Sequence, residues 1–247
     1  MAGTNLAGIR HEVVTIEGSR IAYSSAGHRG TPIVLVHGGA GDRDDWAGTI
    51  RTLAASHRVY APDMIGYGQS SRPAKTYTLQ HFSRFLLDFM DALDLDQAAL
   101  VGHSLGGRVC LEVARQEPDR VAGLVLVAPI GFGKLFSVGL LLGVAGWALC
   151  KAMRRPLPYP ALDVELEERG PDRFRNVKSP TLIVWGSGDI FFPPKHGKRA
   201  LSAIPNSALR LFRHSRHAPH RDEPAAFNRV VLEFLATAAS EAAVRVS

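Results

Sequence analysis

Short apolar runs alternate with amphipathic stretches along most of this chain, and the two periods predict its elements in order. EVVTI and RIAYSSAG, on either side of Gly18, predict an opening hairpin. After Pro32, IVLVHGG predicts a buried strand, followed by a helix-like stretch to about Ala55 and the strand RVYAPD. A helix from about Thr78 to Leu93 leads to the strand AALVGHS, a helix from Leu105 to Gln116 and the strand VAGLVLVAP. Towards the C-terminus come the strand PTLIVWG, a helix near Pro194 to Ala203, the strand ALRLF and a last helix from about Pro224. Val-, Ile- and Leu-rich runs without polar alternation must be buried on both faces, so helices have to cover both sides of a mostly parallel sheet. The fold class is therefore α/β.

Composition narrows this picture. A chain of 247 residues suffices for one large core, and 46% apolar with 21% charged residues excludes a disordered or fibrous chain. The net charge of +6 comes from cations spread along the chain with no nucleic-acid module, so it reads as a mildly basic surface. Two cysteines, Cys110 and Cys150, are too few for a disulfide framework, and both sit in apolar surroundings expected to bury free thiols. The start, MAGTNLAGIRHEVV, lacks the apolar core of a signal peptide, and a cytoplasmic location is expected. Neither zinc-ligand spacing nor a phosphate-binding glycine loop occurs, so no metal or organic cofactor is expected.

The chemistry concentrates at LVGHSLGGR, Leu100 to Arg108, where Ser104 falls on the turn from a buried strand into a helix. Gly102 and Gly106 suit a turn so tight that strand and helix leave no room for side chains. There a serine hydroxyl stands at the carboxyl end of the sheet, above a helix N-terminus whose Leu105 N–H faces a developing oxyanion. A serine nucleophile needs a base oriented by a carboxylate, and in such a fold these follow in the order serine, acid, histidine. Asp189, just beyond PTLIVWG, is the candidate acid; the loop RHSRHAPHRDEP offers His214, His217 and His220 as candidate bases.

With HGG at 37–39, DMIGYGQS at 63–70, GHSLGG at 102–107, WGSGD at 185–189 and RHAPHRDEPAAFN at 216–228, the chain resembles α/β-hydrolases of the prolyl-aminopeptidase, epoxide-hydrolase and haloperoxidase-like branch. The family's histidine usually precedes an acidic residue by five positions and a proline by seven, so Asp222 and Pro224 select His217. Arg216 departs from the pattern, since glycine commonly precedes that histidine. The resemblance assigns the oxyanion donors to the Gly39 and Leu105 N–H groups, with Ala40 the lesser candidate, and makes His37, Asp63, Gly66 and Gly68 shapers of loops. It implies an esterase-like serine hydrolase with catalytic Ser104, Asp189 and His217, acting on a largely hydrophobic small molecule. Dehalogenase and epoxide-hydrolase chemistry, which use an aspartate where Ser104 stands, are disfavoured. The alternatives are a C–C bond hydrolase, whose members commonly carry asparagine where this chain has His103, an acyltransferase or perhydrolase, and a non-catalytic ligand-binding relative.

The resemblance also divides the chain into a core of 1–129 and 177–247 and a short cap of 130–176. Within the cap, Leu135 to Cys150 carries no charge and is flanked by Lys134 and Lys151. It is shorter than a usual membrane span and lacks a polar face, so a helix over the pocket is favoured over contact with a membrane surface. Trp147 in that run, with His103 and Ala40, is a candidate for pocket lining. RRPLPYPAL, 154–162, predicts an extended strap.

Overall fold

Alternation within the apolar runs splits the core of the protein into two layers. The computed structural model describes residues 4–5, 8–74, 76–134, 160–164 and 173–246. Its strands are β1 Thr4–Asn5, β2 Ile9–Ile16, β3 Ser19–Ala26, β4 Pro32–Val36, β5 Arg58–Pro62, β6 Thr76–Thr78, β7 Ala98–His103, β8 Val121–Val127, β9 Ala161–Asp163, β10 Thr181–Gly186 and β11 Ser207–Phe212. The described helices are α1 Ala47–Leu53, α2 Leu79–Asp91, α3 Leu105–Gln116, α4 Lys195–Ala203, α5 Pro219–Asp222 and α6 Pro224–Val246.

Nine strands form one sheet in the order β1-β2-β3-β5-β4-β7-β8-β10-β11. The first four pair antiparallel and the run from β5 to β11 is parallel. In β4, Val34 and Val36 face one side with Leu100, Leu124, Leu126 and Ile183, under α2, α3 and α4. Ile33 and Leu35 face the other side with Val101, Val125, Val127 and Val184, under α1 and α6. Each such side chain, fully buried, contributes about 1.5–3 kcal/mol.

Two elements differ from their sequence reading. The helix-like stretch after β4 is a 3-10 helix, Arg43–Trp46, continued by α1; Asp42 caps its start by accepting from the Asp44 N–H at 3.0 Å. β6 and β9 form a parallel two-stranded ribbon that the sequence reading did not contain. Pro160 to Leu162, the described end of the expected strap, is extended. The apolar run 135–150, with Trp147 and Cys150, lies outside the described residues. No helix among the described residues is long and apolar enough to cross a membrane.

Candidate active site

Ser104 stands between β7 and α3 with φ 51° and ψ −110°, a left-handed conformation costly for any residue with a Cβ. A serine before a helix ordinarily turns its hydroxyl back onto the helix N–H groups, but at these angles no such cap forms. The backbone is held instead: the Ser104 N–H donates to Val127 at 2.8 Å, and its carbonyl accepts from Arg108 N at 3.1 Å and Ile130 N at 3.3 Å. Close approach demands glycine on both sides. A Cβ on Gly102 would run into Gly106 and Gly107, and one on Gly106 into the carbonyls of Val36 and His37.

Asp189 lies just past β10 and is 4% exposed. One carboxylate oxygen accepts from the backbone N–H groups of Phe191 and Phe192, both at 2.9 Å, and the other from His217 Nδ1 at 2.8 Å. The loop that positions it is tied down by the Trp185 indole, which donates to the Phe192 carbonyl at 2.9 Å. Of the three histidines, His217 is the one that reaches Asp189. His214 is exposed, and His220 is sealed against Trp46 with ring centroids 4.3 Å apart. The loop bearing His217 folds back on two acids: Asp222 accepts from the Arg216 N–H at 2.7 Å, and Glu223 accepts from the Ser215 hydroxyl at 2.6 Å and the His214 N–H at 3.2 Å. Arg216 fits where the family carries glycine because its φ is not positive and its side chain is exposed.

The loop after β4 packs on the elbow. A Cβ on Gly39 would lie 3.5 Å from the Leu105 side chain, and one on Gly38 the same distance from the Ser104 Cβ. His37, fully buried, fixes this loop: Nδ1 donates to the Gly38 carbonyl at 2.8 Å and Nε2 accepts from the Met64 N–H at 3.0 Å. Burial lowers its pKa, so it stays neutral with the proton on Nδ1. Asp63 braces the next loop by accepting from Arg43 N, Arg43 Nη1 and Gln69 N at 2.9, 3.1 and 2.8 Å.

Together these pieces line a cavity of about 630 Å³, with Ser104, His217, Gly39, Leu105, Ala40 and His103 on its wall. Ile130, Leu162, Val164, Phe191 and Phe192 make the rest of its wall largely apolar. Leu162 and Val164 come from the β9 segment. At the rim, Arg221 donates to Asp45 at 3.1 Å; the two are 176 positions apart, so no local signal could have paired them. Among the described residues no group of three or more His, Cys, Asp or Glu is placed to hold a metal ion.

A family model described as "alpha/beta hydrolase fold" matches residues 31–159. The chain is 30% identical to an uncharacterized protein of Mycobacterium tuberculosis, across 90% of this chain and 80% of that one. It is 27% identical to 2-hydroxy-6-oxo-6-phenylhexa-2,4-dienoate hydrolase of Burkholderia cepacia, across 88% of this chain and 91% of the relative. A carboxylesterase of Bacillus subtilis superposes with a TM-score of 0.79 at 20% identity, covering 92% of this chain and 91% of that one, a likeness of fold alone.

Proposed function

The chain belongs to the alpha/beta hydrolase fold family, and on that premise we propose that it is a serine hydrolase cleaving esters of largely hydrophobic small molecules through an acyl-enzyme. The observation that carries this reading is the 2.8 Å bond from His217 Nδ1 to buried Asp189, on the wall of the apolar cavity that Ser104 also lines.

A carboxylate only accepts, so the bond to Asp189 keeps the proton on Nδ1 and leaves Nε2 bare. Nε2 takes the Ser104 proton as Oγ bonds to the acyl carbon, and the carbonyl electron pair moves onto oxygen. The Gly39 and Leu105 N–H groups hold that oxyanion, each donor contributing about 10²–10³-fold in rate. When the intermediate collapses, the C–O bond to the alcohol breaks and the imidazolium Nε2–H protonates the leaving oxygen. Water then gives a proton to His217 as its oxygen bonds to the acyl carbon; when this second intermediate collapses, the C–Oγ bond breaks, the imidazolium Nε2–H protonates Oγ and the acid leaves. Asp189 stays ionised and stabilises the imidazolium in both halves.

The test is hydrolysis of p-nitrophenyl esters from acetate to palmitate by wild type and Ser104→Ala side by side. Turnover lost in the variant supports the reading, and turnover that survives overturns it. The likeness to the Burkholderia dienoate hydrolase favours a second reading, C–C cleavage of a dienoate at the same serine. Dienoate turnover without ester turnover would establish that reading instead.

A further inference from the structure

We propose that His103 is a positioning residue that locks the loop bearing the base to the strand bearing the nucleophile; this rests on the serine-hydrolase reading above. Period two along β7 puts Ala99, Val101 and His103 on the face covered by α1 and α6, so the His103 ring enters the layer of Trp46 and Phe227. There the rings form a column. Centroids are 4.3 Å apart for Trp46 and His220, 4.7 Å for His220 and His103, and 4.8 Å for His103 and His217. The column thus runs from the core to the base itself.

The hydrogen bond at its end has a defined direction. His103 Nε2 is 3.0 Å from the His217 carbonyl, which accepts only, so the proton sits on Nε2 and points at the backbone of the base. Nδ1 is then bare, buried and without a partner among the described residues. It faces Gly38, where a Cβ would approach to 2.8 Å, so no bulkier residue fits between ring and loop. Burial beside two other imidazoles keeps His103 neutral, so the column adds no charge beside the base.

This bond complements the others made by the loop. Asp189 fixes the ring of His217 and Asp222 holds the Arg216 N–H, but neither ties the loop to β7. His103 does so from the position next to Ser104, setting nucleophile and base at a common distance in both halves of the cycle. Displacing a reacting group by about 1 Å costs about 10²-fold in rate.

The test is a series at His103 read by kcat, KM and the rate at which a fluorophosphonate labels Ser104, with melting temperature as the control for folding. A glutamine amide nitrogen reaches the place of Nε2, an asparagine nitrogen stops near Nδ1, and phenylalanine keeps the ring without a donor. We expect His103→Gln to keep kcat within about threefold of wild type, and His103→Asn and His103→Phe to lose about 10²-fold in kcat and labelling with KM nearly unchanged. A packing role predicts the reverse order, with His103→Phe active and His103→Gln impaired. That order, or three variants all as fast as wild type, overturns the proposal. Wild-type protein that neither hydrolyses esters nor labels at Ser104 would instead overturn the functional reading beneath it.

Discussion

The elbow at Ser104 and the loop at His217 solve the same task, fixing one side chain at the wall of the cavity, by opposite means. The elbow is held by its backbone: a strained φ, glycines where a Cβ would collide, and the carbonyls of β4 pressed against α3. The loop is held by polar side chains, Asp222 and Glu223 a few positions further along and Asp189 and His103 from other segments. The first kind of restraint acts on the main chain and requires residues without a Cβ at fixed positions. The second acts through polar side chains that must meet their partners. Chemistry should therefore depend on both regions alike, while stability should depend mainly on the elbow and loop geometry on its polar anchors.

The largest effect expected is on chemistry at the elbow. Ser104→Ala should lower kcat by about 10⁶-fold while leaving the melting temperature within a few degrees, as single-turnover kinetics and calorimetry would show. Asp189→Asn, on the other side of the comparison, should cost about 10⁴-fold in kcat with KM little changed, because an amide allows the wrong tautomer of His217. Only a much smaller loss would detach Asp189 from catalysis.

Stability should separate the two regions. Gly106→Ala forces a methyl group into the Val36 and His37 carbonyls, and the denaturation midpoint should fall by the equivalent of about 3 kcal/mol or more. Glu223→Gln weakens the charge-assisted bond to Ser215 and should cost about 1–2 kcal/mol, with a fall in kcat from the loosened loop. If Glu223→Gln proved the more destabilising of the two, the contrast between backbone-held and side-chain-held regions would collapse.

The last effect is on pH. Burial, with Arg221 and His217 nearby, pushes the His220 pKa down to about 3 from an ordinary 6.5. Between those values the unfolded chain takes up a proton that the fold refuses, so this group's contribution is full above pH 6.5 and is lost as pH falls towards 3. Its limiting slope is about 1.4 kcal/mol per pH unit. His220→Phe, which keeps a ring on Trp46, should flatten the fall of melting temperature between pH 7 and pH 4; an unchanged slope would assign that acid sensitivity elsewhere.

Much of the site was legible in the sequence for reasons that particular residues make plain. Helix α3 begins and ends where the periodicity places it, because strand, glycine turn and helix are contiguous in the chain. The acid and proline that select His217 mark a physical device, since Asp222 and Glu223 fold the loop that presents it. His103 was legible only as a neighbour of the pocket; its bond to a carbonyl 114 positions away has no local signal. Leu162 and Val164 were equally hidden, because the three-residue strand β9 is too short to show a period and gains its place by pairing with β6.

The sequence by itself determined the two-sided burial of the sheet and the strained turn at Ser104. Those features follow from side-chain period and from sterics within a few bonds, which every folded form of this chain must obey. Only the tertiary structure decided that His103 braces the backbone of His217 and which apolar side chains line the cavity. Those depend on groups brought within hydrogen-bond or van der Waals distance from separate parts of the chain, 114 positions apart for His103 and His217, where the energy of a contact is set by geometry and not by proximity along the chain.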